Sequence, residues 1–177
     1  IRESDIIFIA VGTPTAKDGV SADLKNVYGV AKIISKNINK YKIIITKSTV
    51  PVCTGDKVEN IIKKNNSISK FDVVSNPEFL REGEAIRDFR YPDRVVIGSN
   101  NLKKTKPILE KLYEPITKKG AKFIVTTRRS SELIKYAANA FLATKITFIN
   151  EIANLCEEVG SNVDDIALGI GTDARIG

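Results

Sequence analysis

The chain of 177 residues contains no histidine, no methionine and no tryptophan, and it has only two cysteines. Without histidine, a Ser-His-Asp triad and a histidine-based zinc site are both excluded. Cys53 and Cys156 lie in unrelated contexts without metal-ligand spacing, so neither a metal site nor a disulfide framework is predicted. Cys156 lies on the apolar side of a helical pattern and is expected to be a buried structural thiol.

Long hydrophobic runs and targeting segments are also missing. No apolar run is long enough to cross a bilayer, and no signal peptide opens the chain, so a cytoplasmic location without a membrane partner is expected. The chain does not begin with methionine, and its first residues, Ile1 to Ser4, resemble the end of an earlier element. The dinucleotide fingerprint G-x-G-x-x-G occurs nowhere. These absences together indicate an internal fragment of a longer protein.

The charge is unbalanced, with 28 Lys and Arg against 21 Asp and Glu, for a formal net charge of +7. The basic residues are spread in short groups around predicted helix ends and turns, without the aromatic interleaving of an RNA-binding sheet. A solvated lysine-rich surface is therefore favoured, and a nucleic-acid partner is not expected. A polyanionic nucleotide substrate is compatible with this excess of positive charge.

Apolar segments alternate with helical patterns along most of the chain. Five of them read as strands: Ile6–Ala10, Ile43–Thr46, Asp72–Ser75, Arg94–Ile97 and Lys122–Val125. This alternation predicts an α/β fold with a doubly wound parallel sheet. A long helix then begins at Ser130 or Ser131 and stops at Gly160. Its first half is apolar almost all round, which predicts burial. The sequence therefore divides into residues 1–128 and 129–177.

Polar residues follow three of the predicted strands where each strand ends. The segments Val11–Thr15 and Ser48–Val50 supply hydroxyls and a glycine, and the stretch after Asn76-Pro77 supplies charged residues around Phe79 and Leu80. Open α/β sheets bind ligands at this edge. The alternative is a set of ordinary loops, since Asn-Pro is a common turn signal.

Lys135 and Asn139 interrupt the apolar part of the long helix one turn apart, on one helical face. An ammonium and an amide in an apolar stretch are costly without partners. This pattern predicts a functional pair. The alternative is that both reach the surface, because lysine extends its charge to solvent easily.

The string SNPEFLREGEAIRDF followed by YPDRVVIG resembles the signature of nucleotide-sugar dehydrogenases, the UDP-glucose/GDP-mannose dehydrogenase family. VGTPT, KSTVP, KYAANAFLA and GIGTDARIG match further segments of that family, so the resemblance covers nearly the whole chain. It implies NAD-dependent twofold oxidation of UDP-glucose to UDP-glucuronate through a cysteine thioester. Residues 1–128 would be the later part of a Rossmann-like NAD-binding domain, and residues 129–177 the start of an all-α central domain.

The resemblance also implies roles for individual residues. The catalytic residues would be Thr49, Glu78, Lys135 and Asn139. NAD would contact Val11, Gly12, Thr13, Pro14, Thr15, Ser48, Thr49, Val50 and Glu82. The nucleotide-sugar substrate would contact Glu78, Phe79, Leu80, Arg81, Glu82, Lys135, Asn139 and Arg175. A homodimer through the long helix is expected, with Arg175 reaching the neighbouring subunit's substrate site.

The chain departs from the family pattern at Cys53, where the family usually has glycine. The resemblance places the family's fingerprint upstream of Ile1 and its nucleophilic cysteine, in a glycine-rich stretch, beyond Gly177. Neither Cys53 nor Cys156 has that glycine-rich context. The segment alone is therefore expected to be inactive. A dehydrogenase for GDP-mannose or another nucleotide sugar, and a non-catalytic α/β binding module, are the alternatives.

Overall fold

The computed structural model describes residues 1–65 and 70–176. Within these ranges the strands are β1 (Ile6–Ile9), β2 (Lys42–Thr46), β3 (Phe71–Ser75), β4 (Arg94–Ser99) and β5 (Lys122–Thr126). The helices are α1 (Lys25–Asn37), α2 (Thr54–Asn65), α3 (Ala85–Arg90), α4 (Leu102–Thr117), α5 (Arg128–Val159) and α6 (Val163–Gly171). The structure is thus mixed α/β with a five-stranded sheet and a long helix, which confirms the predicted fold class.

The sheet departs from the prediction at one pairing. Its order is β1-β2-β3-β4-β5, and all neighbours are parallel except β3 and β4, which pair antiparallel through Val74↔Ser99 and Ser75↔Gly98. The prediction of a wholly parallel sheet is wrong here. A parallel return requires a crossover that covers the sheet, but β3 and β4 are joined by the six-residue α3, which has no buried residue. The chain simply turns back, so β4 begins at the edge where β3 ends.

Helices cover both faces of the sheet, which is why the strands are continuously apolar. Successive side chains of a strand point to opposite faces. In β2, Ile44 packs into a core with Val58 of α2, whereas Ile43 and Ile45 pack into a second core with Leu109 of α4. Strands buried on both sides read as unbroken Val and Ile runs, as observed.

The chain forms two compact units, Ile1–Tyr136 and Ala137–Gly177, so the first turns of α5 belong to the first unit. The helix ends before Gly160, whose φ of +72° is the left-handed conformation that commonly terminates helices. In the second unit Cys156 is buried, and Asn162 caps α6 by accepting a hydrogen bond from the Asp164 N–H at 2.8 Å. In the described part of the chain, no helix combines the length and apolarity needed to cross a membrane.

The predicted burial of the first half of α5 is wrong for several of its large apolar residues. Leu133 is 55% exposed, Phe141 64% and Leu142 59%. An apolar pattern shows that a helix is suited to burial, but it does not show that the covering surface lies in the same chain. Lys135, in contrast, is buried.

The first turns of α5 are fastened to the sheet and to α2 by buried charges. Glu132 is 2% exposed, and its two carboxylate oxygens accept the N–H groups of Cys53 and Gly55, each at 2.7 Å. These donors lie at the start of α2, where N–H groups have no partner within the helix and the helix dipole favours negative charge. Burial raises the pKa of the Glu132 carboxyl, and the two N–H donors oppose that shift.

Arg128, one turn earlier, extends this contact. Its guanidinium donates to the Val73 carbonyl at 3.3 Å and forms ion pairs with Asp56 and Glu59 of α2. A Cβ on Gly55 would lie 2.5 Å from Cδ of Arg128, and one on Gly98 would lie 2.7 Å from the Thr127 carbonyl. Both positions therefore require glycine, because the start of α5 occupies the space of a side chain.

Cys53, where the family pattern has glycine, adopts a φ of +73°. Among the described residues it alone, apart from glycines, has a positive φ. The left-handed conformation costs a residue with a Cβ roughly 1–2 kcal/mol. Glycine is the less strained choice, and the bond from the Cys53 N–H to Glu132 helps to hold cysteine in this conformation.

We expect Glu132→Ala to lower the free energy of unfolding by about 2–5 kcal/mol, because two buried N–H groups lose their acceptor. Glu132→Gln should lose less, since an amide oxygen still accepts one of them. Urea denaturation of both variants measures the difference. Glu110→Ala on α4 is the control, because this exposed glutamate forms a solvent-exposed ion pair with Lys106, whose loss should shift stability by no more than about 0.5 kcal/mol. Equal losses for Glu132→Ala and Glu110→Ala would contradict the capping role.

Candidate functional site

The segments that follow β1 and β2 lie side by side. The Ser48 hydroxyl donates to the Val11 carbonyl at 2.6 Å, and the Thr13 hydroxyl donates to the Thr49 carbonyl at 2.9 Å. The Lys47 N–H reaches the carbonyl of Ile9 at 2.8 Å. The carboxyl ends of the two strands are therefore joined by hydrogen bonds, and the two segments predicted to contact a cofactor form one continuous edge.

Space beside this edge is open at Gly12. A Cβ there would meet no heavy atom within 4 Å. The segment is held in place by two hydrogen bonds. The Pro14 carbonyl accepts the Asp23 N–H at 2.7 Å, and the Gly12 carbonyl accepts from the Asn26 side-chain amide at 3.2 Å. An exposed backbone with neighbouring hydroxyls suits a flat polar group such as the nicotinamide end of a dinucleotide. Val50 differs from its neighbours, because its side chain is part of the core.

Asn76, at the end of β3, is the buried centre of a hydrogen-bond network. It is 1% exposed, and its amide nitrogen donates to the Val96 carbonyl at 2.9 Å. Its amide oxygen accepts from the hydroxyl of Tyr113 on α4 and, at 3.4 Å, from the ammonium of Lys47. The sequence indicated only a turn at this residue. The structure shows instead that Asn76 links β2, β4 and α4 immediately before Glu78.

Cations surround the turn that carries Glu78 and Phe79. The guanidinium of Arg94, at the start of β4, lies 4.1 Å from the centroid of the Phe79 ring, and the ammonium of Lys135 lies 5.4 Å from it. Both distances are within the range of cation–π attraction. Arg94 reaches this edge because β4 runs antiparallel to β3 and so begins where β3 ends.

The two lysines of the site have shifted pKa values. Burial lowers the pKa of Lys135, which is 8% exposed; the Glu78 carboxylate opposes that shift and the charge of Arg94 adds to it. Burial likewise lowers the pKa of Lys47, to about 8, with Glu78 opposing and the charge of Lys135 adding to the shift. Glu78 is thus the carboxylate that both ammonium groups face. The burial of Lys135 argues against the alternative of a lysine that reaches the surface.

The remaining residues of this turn are more exposed. Arg81 is bound to Asp88, with its N–H at 2.8 Å, Nε at 3.0 Å and Nη2 at 2.7 Å from the carboxylate. The bonds from Arg81 lower the pKa of Asp88 to about 2. Arg81 therefore shapes the turn through its own counterion, and Glu82 is exposed beside it. Leu80 lines a small cavity of ≈ 30 Å³, together with Lys47, Asn76, Glu78, Phe79, Arg94 and Tyr113.

Two predicted site residues belong to the second unit. Asn139 is exposed on α5. Arg175 is exposed too, and its guanidinium binds the Asp173 carboxylate, with Nη2 at 2.6 Å from Oδ2. The geometry of the first unit therefore assembles Glu78, Phe79 and Lys135, and the contributions of Asn139 and Arg175 remain predictions.

Lys47, Asn76, Arg94 and Tyr113 were missed as site residues. One signal was available for Lys47, because it follows a buried strand directly and precedes Ser48. Arg94 gave a weaker signal, since it lies within the family-like PDRVVIG string. Nothing in the sequence places Tyr113 near β3, because that contact depends on how α4 packs. In the described ranges, no group of three His, Cys, Asp or Glu residues could hold a metal ion.

Family models match most of the chain. Residues 1–117 match the NAD binding domain of the UDP-glucose/GDP-mannose dehydrogenase family, and residues 129–177 match the central domain of the same family. Among curated relatives, UDP-glucose 6-dehydrogenase of Rhizobium meliloti (strain 1021) is 54% identical over 178 residues, and UDP-glucose 6-dehydrogenase TuaD of Bacillus subtilis (strain 168) is 55% identical over 178 residues. Both alignments cover 100% of this chain, but only 41% and 38% of the respective relatives.

Solved structures agree with the sequence relatives. A UDP-glucose dehydrogenase from the archaeon Pyrobaculum islandicum superposes with a TM-score of 0.92 and 40% identity, over 98% of this chain and 40% of that one. A ternary complex of GDP-mannose dehydrogenase from Pseudomonas aeruginosa gives a TM-score of 0.89 and 34% identity, over 97% of this chain and 40% of that one. The chain spans about two fifths of the length of these proteins.

Proposed function

Because the chain belongs to the UDP-glucose/GDP-mannose dehydrogenase family, we propose that it is part of an enzyme that oxidises UDP-glucose to UDP-glucuronate with two molecules of NAD. The observation that carries this proposal is the buried ammonium of Lys135, which lies 5.4 Å from the centroid of the Phe79 ring and is acted on by the charge of Glu78. The names of the relatives that are about half identical to this chain support the choice of substrate. A soluble nucleotide sugar as substrate favours a cytoplasmic location.

NAD, when bound, accepts a hydride from the carbon under oxidation. We assign its nicotinamide end to the edge formed by Val11–Thr15 and Ser48–Val50, with Glu82 nearby. The open space beside Gly12 and the hydroxyls of Thr13 and Ser48 support this assignment. Thr49 would hold a water close to the reacting carbon.

The sugar would lie against the turn from Glu78 to Glu82, which contacts it mainly through shape and backbone. Lys135 would face the sugar oxygen on which negative charge develops, and Asn139 would donate to the same oxygen. A fixed, water-excluded cation is most effective when it is aimed at charge that appears only in the transition state. The burial of Lys135 supports this role.

The second oxidation would proceed through a thioester. A cysteine traps the aldehyde as a thiohemiacetal, loss of a second hydride gives the thioester, and water then hydrolyses it. Covalent capture makes the second oxidation intramolecular and prevents escape of the aldehyde. Neither Cys53, whose backbone caps α2, nor the buried Cys156 is suited to the nucleophile's role. Glu78 would orient the hydrolytic water.

The function is tested with the full-length enzyme that contains these 177 residues. We expect two NADH for each UDP-glucose consumed, with UDP-glucuronate as the product. GDP-mannose and UDP-N-acetylglucosamine should be poorer substrates. If the enzyme prefers either of these two compounds, that compound is the substrate in place of UDP-glucose, and the proposed oxidation is retained. Absence of NADH formation with all three would contradict a dehydrogenase and would favour a non-catalytic binding module.

Lys135→Ala in that enzyme should lower kcat by about 10²–10³, the usual effect of losing one oxyanion donor. Lys135→Arg should restore little, because a planar guanidinium does not fit a site shaped for a compact ammonium. Steady-state kinetics with both variants gives the result, with NAD affinity expected to change little. Lys103→Ala, an exposed lysine of α4, is the matched control. Near-normal kcat in both Lys135 variants would rule out the assigned role.

We also propose that the enzyme is a homodimer that associates through α5. Phe141, Ile146 and Phe148 are more than half exposed on this helix, and large exposed apolar groups of this kind commonly mark an interface. Arg175 would then reach the substrate site of the neighbouring subunit. The acidic residue Asp173 that binds Arg175 in this chain would have to release it.

Phe141→Glu together with Ile146→Glu should convert the dimer to monomer and reduce activity, because two charges would be buried in an apolar interface. Sedimentation velocity measures the change in mass. Leu112→Glu, at a half-exposed apolar position of α4, is the control and should leave the dimer intact. A parent enzyme that is monomeric at working concentration and fully active would contradict the proposed dimer.

A further inference from the structure

Lys47 occupies an unusual place for a lysine. It follows β2 directly, is half-buried, and donates to the amide oxygen of Asn76 at 3.4 Å. Asn76 is itself fixed on its other sides by the Val96 carbonyl and the Tyr113 hydroxyl. The ammonium of Lys47 is thus held at the base of the turn that carries Glu78, and the roles proposed so far leave this cation unused.

Charged groups from four directions lie around Lys47. Glu78 follows β3, Arg94 opens β4 and Asp88 lies on α3, and all three line the same cavity as Lys47. Lys135 of α5 acts on Lys47 through its charge, which adds to the lowering of the pKa of Lys47. Asp88 is bound by Arg81, and Arg94 lies over Phe79. Tyr113 is neutral, since burial raises its pKa to about 12. Glu78 is therefore the carboxylate that faces Lys47, and it faces Lys135 as well.

We propose that Lys47 is a positioning residue of the substrate site, which shares the Glu78 carboxylate with Lys135 and so keeps Lys135 directed at the substrate. This inference rests on the proposed function. A lone lysine in an apolar pocket would form a close ion pair with Glu78, because attraction between opposite charges is strong at low dielectric. Its charge would then be neutralised before any sugar oxygen developed charge. A second ammonium divides the attraction, and the bond to Asn76 holds it in place.

The charge on Lys47 is sensitive to alkaline pH. Its pKa is lowered to about 8, so the ammonium form predominates at neutral pH and is lost as pH rises through about 8. The positioning effect disappears with the charge. For the parent enzyme we expect kcat/KM to fall as pH increases through this range, because that profile reports groups of the free enzyme.

Lys47→Met should lower kcat/KM by about 10–10² at neutral pH, the scale on which a small misplacement of a catalytic group acts. The decrease of kcat/KM near pH 8 that is expected for the parent enzyme should be absent in this variant. Lys47→Arg should recover much of the activity and should also lack the fall near pH 8, because a guanidinium does not lose its proton there. The measurement is the pH profile of kcat/KM for each variant. Calorimetry with UDP-glucose in the absence of NAD should show substrate affinity changed less than kcat.

Lys57→Met, at an exposed position of α2, is the control and should keep the parent profile. A role confined to packing would lower the melting temperature of Lys47→Met but leave the pH of the alkaline fall unchanged, and that result overturns the inference. If Lys47→Met does not fold, an unchanged alkaline fall in Lys47→Arg overturns it equally. Activity that increases through pH 8 would make Lys47 a base and would also overturn it.

Failure of the inference is distinguishable from failure of the function. If the parent enzyme forms NADH from UDP-glucose and Lys47→Met matches it at every pH, only the role of Lys47 is wrong. If the parent forms no NADH from any nucleotide sugar, the proposed function and the role of Lys47 are both wrong.

Discussion

The architecture of the first unit depends on a carboxylate buried where a carboxylate is ordinarily expensive. Glu132 is out of contact with water and is compensated by two N–H groups of α2, the helix dipole and the neighbouring Arg128. This contact fixes the first turns of α5 against the start of α2. Lys135 lies on the next turn, so its position beside the Phe79 ring is a consequence of where Glu132 is bound. The same carboxylate orients the chain between Thr49 and α2 through Cys53.

The residues around Glu78 and Phe79 form a group of interacting charges more than a set of independent residues. Three cations, Lys47, Lys135 and Arg94, lie around Glu78 and the ring of Phe79. Two of them are lysines whose pKa values are lowered by burial, so keeping them charged at these positions lowers the free energy of unfolding. Such an arrangement has little structural benefit, and its effect is greatest on a ligand that brings or develops negative charge.

Much of this could be predicted from the sequence, and the errors have physical causes. Strand runs such as Ile43–Thr46, the stop at Gly160 and the burial of Lys135 are local signals, set by periodicity, backbone conformation and the surrounding apolar residues. The antiparallel β4 could not be predicted, because strand direction depends on the path between β3 and β4. The hydrogen bond between Tyr113 and Asn76 could not be predicted either, because it depends on how α4 packs against the sheet. The exposure of Phe141 was mispredicted because periodicity reports suitability for burial and says nothing about the partner.

The glycines that receive α5 have a consequence for the order in which the chain is assembled. Gly55 and its N–H reach their partner Glu132 across 77 residues, so the start of α2 emerges from the ribosome long before its cap exists. Until α5 is made, the N–H groups at the start of α2 can bond only to water, and the residues that pack against Gly98, which are Thr127, Arg128 and Ser131, are not yet present. The packing of the first unit is completed only when Arg128 and Glu132 have been synthesised, so the first turns of α5 are the last part of that unit's core to be added.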